Sequence, residues 1–107
     1  RNGVGAAEPL SMAIRGGARA AGHGHATGSL EIGKRADVVL LSMLSPDAAG
    51  YSSPEAFLYE CASGRDVTTV LVDGQLVVKD AQPLLVDYER ITAQAVERQR
   101  QLTSVIE

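Results

Sequence analysis

A single cysteine, Cys61, stands among the 107 residues. A lone thiol excludes an internal disulfide, and a cytoplasmic setting is the default expectation. No histidine lies near it in "AFLYECASG", so Cys61 reads as a small buried apolar side chain rather than a nucleophile. No stretch approaches the roughly 20 apolar residues that span a bilayer. No basic start followed by an apolar run marks a secretory leader. Lysine and arginine do not cluster beyond Lys34-Arg35, and the formal net charge is −3. This argues against nucleic acid as a partner, and no membrane partner is expected. What is present is globular: 45% of residues are hydrophobic, enough for one domain but at this length not two. The chain opens on Arg1 rather than methionine, which leaves both processing and a piece of something longer open.

Local signals predict alternating elements. Leu10, Ala13, Ile14, Gly17, Ala18 and Ala21 recur at helical spacing from about Pro9 to Ala21. Pro9 suits a first turn, and Gly22 suits a left-handed stop. Gly16-Gly17 costs the helix about 1 kcal/mol per glycine and allows close approach by another element. "ADVVLLSML" is a continuous apolar run, which predicts a strand covered on both sides. Leu44 to Pro54 reads as a loop. Ser53 and Pro54 open a short helix to Ala62, with Gly64 as a stop. In "DVTTVLVDGQLVVKD" two β-rich runs flank Asp73-Gly74, a dipeptide suited to a type I′ hairpin turn. Both faces of that hairpin carry apolar groups and expect cover or an oligomer contact. "QPLLVD" reads as an extended link. Asp87 caps a last helix to about Val105, with Ile91, Ala95, Leu102 and Val105 or Ile106 as its apolar stripe.

Candidate chemistry is sparse. His23-Gly24-His25 has a spacing that lets two imidazoles reach one ion if it lies on a strand. It instead follows a helix stop among glycines, with Glu31 the next acid, and reads as an exposed loop. "GHGHATGS" lacks the Gly-Lys-Ser/Thr ending of a phosphate loop. "GSLEIGK" is followed by Arg35 and a strand rather than by a hydroxyl and a helix. Asp66, Asp73, Asp80 and Asp87 fall at strand ends, turns or caps, which turn chemistry explains. Arg65-Asp66 reads as a solvated boundary or local ion pair. From the residues alone, no catalytic, cofactor or metal residue is assigned, with His23 and His25 as the remote metal candidates.

Four stretches carry a resemblance. "GSLEIGKRADVVLLS", Gly28 to Ser42, resembles the turn and strand that follow the barrel in the amidohydrolase superfamily. "VTTVLVDGQLVVKD" resembles that family's next hairpin, and "MAIRGGARAAG" its late barrel helix. "YECASGRDV" is most similar to the chlorohydrolase and nucleobase-deaminase branch. The resemblance implies an α+β segment: the last helix of a (β/α)8 barrel, C-terminal strands of an attached β-sandwich and a C-terminal helix. Residues 1–22 would form the barrel-type helix. Residues 23–86 would be the sandwich portion, with hairpin 67–79 and short helix 54–62, and 87–107 the last helix, in one unit without independent domains. It further implies a parent hydrolase with a divalent metal, zinc or iron. There a metal-activated hydroxide attacks an electrophilic ring carbon or amide carbonyl and expels ammonia or another leaving group. Such a barrel needs about 250 residues, so the family's ligands lie upstream and none carries over. Only structural roles transfer, to Gly28, Gly33, Lys34, Ala36, Asp37, Asp73 and Gly74. The expected partners are the N-terminal remainder of the parent and, for the segment alone, a second copy, with exchange through the Leu44–Pro54 loop as one route. A standalone module that pairs through exposed strands is the alternative.

Overall fold

The computed structural model describes residue 5 and residues 7–106. A first helix starts as α-helix over Ala7–Ser11, passes through a π-turn over Met12–Gly16 and returns to α-helix over Gly17–Ala20. It ends in a Schellman motif. His23 N–H donates to Ala18 O at 2.8 Å and Gly22 N–H to Arg19 O at 3.0 Å. Gly22 occupies the left-handed position at φ +80°.

Four antiparallel strands follow in the order β1-β2-β3-β4: Val38–Leu41, Val67–Val72, Gln75–Lys79 and Gln82–Pro83. β1 pairs with β2 through Val38↔Leu71, Val39↔Val70 and Leu40↔Thr69. Asp73 (φ 51°) and Gly74 (φ 77°) turn β2 into β3, both at the positive φ of a type I′ turn. Register slips between Val70 and Leu71, a bulge on the β3 side of the hairpin.

"QPLLVD" departs from the simple link expected of it. Its first two residues form β4 against β3, with Val78↔Pro83 and Lys79↔Gln82 in register. Asp80 (φ 50°) and Ala81 (φ 60°) make that second turn without a glycine. Pro83 is admissible because β4 is an edge strand, where a missing N–H donor is tolerated.

Between β1 and β2 the chain is not all loop either. Pro46–Gly50 is a 3-10 turn, and Pro54–Glu60 is an α-helix capped by Ser53, whose Oγ accepts from Ala56 N–H at 3.2 Å. The helix stops at Cys61, ahead of Gly64. Gly64 instead opens a second 3-10 turn, Gly64–Asp66. There the Asp66 carboxylate accepts from Ser63 N–H at 2.9 Å, so Asp66 is a cap rather than a partner of Arg65. Cys61 is free and half-buried, not fully buried.

The core is small. Among the described residues only Ala48 and Phe57 are buried hydrophobics, with the Tyr51 ring edge-on to Phe57 at 5.9 Å. β1 is not covered on both sides: Val39 and Leu40 remain 52% and 51% exposed. The run is apolar enough for a covered strand, but the described elements leave about half of each of those two residues open. The last helix, Tyr88–Ile106, starts on Asp87, whose carboxylate accepts from Arg90 N–H at 3.0 Å, and carries no buried residue. The chain exposes 8607 Å², against about 5,700 Å² for a compact monomer of this mass. Its radius of gyration is 18.4 Å, against about 13 Å. No helix among the described residues is long and apolar enough to cross a membrane.

Candidate functional site

A network of polar contacts runs through the connection from Gly22 to Asp37, folded back on the first helix. His23 anchors it through its backbone: its carbonyl accepts from Ala26 N–H and Thr27 N–H, each at 2.9 Å, and from the Thr27 hydroxyl at 3.1 Å. Arg35 N–H closes the loop onto Ala26 O at 2.8 Å.

Lys34 fills the middle. Its Nζ donates to Ser29 Oγ at 2.7 Å, Gly24 O at 3.2 Å and Thr27 O at 3.5 Å, and meets Glu31 Oε2 at 3.2 Å. The Ser29 hydroxyl donates to the same carboxylate. These contacts from Ser29 first, then Lys34, hold the Glu31 carboxyl below its ordinary pKa. The ammonium therefore replaces water for two carbonyls that a tight turn would otherwise leave without partners.

Two glycines set the loop's shape. Gly28 (φ +90°) lies directly against the first helix: a Cβ there would meet Ala18 Cβ at 2.8 Å and Ile14 O at 3.3 Å. Gly33 (φ +91°) has open space around it, so only its backbone angle calls for glycine. Asp37 then links loop to hairpin. Its Oδ1 accepts from Asp73 N–H at 2.7 Å, while Gly74 N–H donates to Ala36 O at 3.0 Å. Thus the β2–β3 turn is clamped by residues 36 and 38 positions upstream.

His23 and His25 share a cavity of about 240 Å³ with Arg35 and Asp37. Both imidazoles are exposed. One Asp37 oxygen is engaged by the hairpin, and the Arg35 guanidinium adds positive charge where a cation would sit. No set of three His, Cys, Asp or Glu side chains among the described residues could hold a metal ion. Glu31 lines a different cavity, with Arg15, Arg19 and Lys34. That polar cluster is not evident from spacing alone, although Arg15 and Arg19 stand one helical turn apart and Glu31 precedes Lys34 by three. A third, apolar cavity of about 510 Å³ opens between the first helix and β1, lined by Leu10, Ile14, Leu30, Val39, Leu41 and Leu58 among others.

The sequence profile of the Amidohydrolase family matches residues 1–77. The chain belongs to the amidohydrolase family. Among curated relatives, a 5-methylthioadenosine/S-adenosylhomocysteine deaminase of Desulforudis audaxviator is 42% identical over 93 residues, covering 87% of this chain and 22% of that protein. A 5'-deoxyadenosine deaminase of Methanosphaera stadtmanae is 40% identical over 80 residues, covering 75% and 18%. Among solved structures, a zinc-bound adenosine deaminase of Xanthomonas campestris superposes with a TM-score of 0.82 at 28% identity, over 92% of this chain and 23% of that one. An atrazine chlorohydrolase of Arthrobacter aurescens, complexed with zinc, gives 0.74 at 34% identity, over 86% and 20%. The chain is thus of the deaminase and chlorohydrolase-like branch, and it spans about a fifth of the length of the relatives it matches. The mixed helix and antiparallel sheet is shared with these neighbours.

Proposed function

We propose that this chain is the C-terminal segment of a metal-dependent amidohydrolase acting on C–N or C–Cl bonds, and that its role there is structural. The observation that carries the reading is the open apolar surface. Exposed area exceeds that of a compact chain by about 2,900 Å², more than one side of a standard protein interface. Exposed apolar residues line the groove between the first helix and β1, include Val39 and Leu40, and continue along the unburied last helix. A chain in a family whose relatives are some five times longer has an evident source of cover. In this reading the first helix closes a barrel, the strands complete a sandwich, and Lys34 and Asp37 hold the connection between them.

The names of the curated relatives favour an adenosine-type ring as substrate of the whole protein, with hydrolytic loss of ammonia. A divalent metal would supply the activated hydroxide of that reaction. The described residues do not fit its ligand sphere, and none is assigned to the chemistry.

Producing the upstream remainder and this chain as separate polypeptides tests the reading. Deamination of 5'-deoxyadenosine should require both, and the isolated chain should be inactive. Full activity and unchanged stability of the remainder alone would overturn it, as would metal-dependent hydrolysis by the 107 residues alone. Separated from its cover, the same apolar surface should drive self-association through the free edge of β1. A monodisperse monomer in light scattering at micromolar concentration would count against this.

A further inference from the structure

Two arginine side chains flank the loop without hydrogen-bonding to it, although the Arg19 stem packs against Gly24. Arg15 and Arg19 stand at i, i+4 on the first helix and so present neighbouring guanidiniums. Neither forms an ion pair or a side-chain hydrogen bond with any described residue, in contrast to Lys34 and Glu31 beside them. Together with Lys34, Thr27, Ser29 and Glu31 they line a polar cavity of about 180 Å³. Its lining carries three cations and one carboxylate. The Lys34 ammonium and the Ser29 and Thr27 hydroxyl protons are already engaged within the loop. The two guanidiniums keep their N–H forks available. Like charges one turn apart repel; Glu31, the one carboxylate of the lining, offsets Arg15 in part without an ion pair to it, and an anion between the guanidiniums relieves what remains.

We propose that this cleft binds a small oxyanion, clamped by Arg15 and Arg19 beside the Ser29–Glu31–Lys34 network. Planar guanidiniums recognise phosphate and carboxylate through paired N–H···O bonds. Lys34 contributes positive field rather than a donor. Glu31, tied to Ser29 and Lys34, keeps the cleft from attracting more than one negative group. The anion site shares Lys34 and the first helix with the proposed packing against the rest of a hydrolase, but its clamp is Arg15 and Arg19, which have no named role there, and it needs no metal.

Titration calorimetry with inorganic phosphate, at ionic strength held constant with chloride, tests the proposal. One saturable site is expected, weakened at least tenfold in R15Q/R19Q and unchanged in K79Q, whose cation lies on β3. The R15K/R19K variant, which keeps charge but loses the planar fork, should fall between. A parallel titration with acetate separates the sources: tighter phosphate assigns a phosphoryl group, tighter acetate a carboxylate. Heats that match chloride for both anions, or binding unaltered in R15Q/R19Q with native circular dichroism, would overturn it.

Discussion

Gly28 and Gly33 provide a controlled comparison, because they share a backbone angle and differ in their surroundings. Their φ values are +90° and +91°. Alanine at either position takes on the strain of a left-handed L-residue, about 1–2 kcal/mol. Loss of chain freedom in the unfolded state returns about 0.4–1 kcal/mol of that. At Gly33 nothing lies within 4 Å of the new methyl, so the net cost should be about 0.5–1.5 kcal/mol. At Gly28 the methyl would sit 2.8 Å from Ala18 Cβ, 3.3 Å from Ile14 O and 3.4 Å from Arg15 Cα. None of those atoms can rotate away, so the loop must lift from the helix. Overpacking of this kind adds about 1–3 kcal/mol. Gly28→Ala should therefore destabilise by about 1.5–4.5 kcal/mol, about 1–3 kcal/mol more than Gly33→Ala. Urea denaturation of both variants measures the difference. Hydrogen exchange at the Arg35 amide, bonded to Ala26 O at 2.8 Å, reports whether the loop has lifted. Equal losses in the two variants would refute the claim that close packing, and not backbone angle alone, requires glycine at position 28.

Other outcomes follow from the same geometry. Asp37→Ala removes a charged acceptor 2.7 Å from Asp73 N–H and should cost about 1–2 kcal/mol, the usual charged-bond value reduced for exposure; Asp37→Asn keeps an acceptor and should cost less in the same denaturation assay. Ala81 holds φ 60° without a glycine, so Ala81→Gly should leave stability unchanged or raise it by up to about 1 kcal/mol, and a clear loss would show that the turn gains from its methyl. Glu31 has a depressed pKa in the folded loop, so its contribution is present above the ordinary carboxylate range and disappears as pH falls through the lowered value. Protection of the Lys34 amide, bonded to Glu31 O and corrected for the intrinsic pH dependence of exchange, should fall on acidification, and this fall should be absent in Glu31→Gln.

The features legible in sequence are those whose cause lies within a few residues. Asp73-Gly74 announces its turn because both positions require positive φ. Ser53 and Asp87 announce their caps because each side chain bonds an amide three residues ahead. Gly22 closes the first helix through bonds that span only Ala18 to His23. The turn at Asp80-Ala81 escapes notice for the complementary reason: it adopts the same angles with no glycine to mark them, and β4 is hidden with it.

The apolar run of β1 misleads in a different way. Its composition records how much cover the strand requires but not which polypeptide supplies it. Val39 and Leu40 are consequently half exposed in a sequence that reads as fully buried. Distance along the chain also conceals the Asp37–Asp73 clamp, since nothing near either residue signals a partner 36 positions away.

This distinction explains why "GSLEIGKRAD" is informative while the histidines before it are not. Ser29, Glu31 and Lys34 bond one another, Gly28 packs where a methyl would collide, and Asp37 reaches into the next hairpin. Each of these residues answers a separate geometric demand, so a different residue at any of them breaks a named contact, whereas Leu30 and Ile32 between them are exposed. His23 acts through its backbone amide and carbonyl, which nearly any residue would provide, and both imidazoles are left in solvent. A pattern identifies a family when its side chains are individually constrained, and in this chain those constraints serve the scaffold.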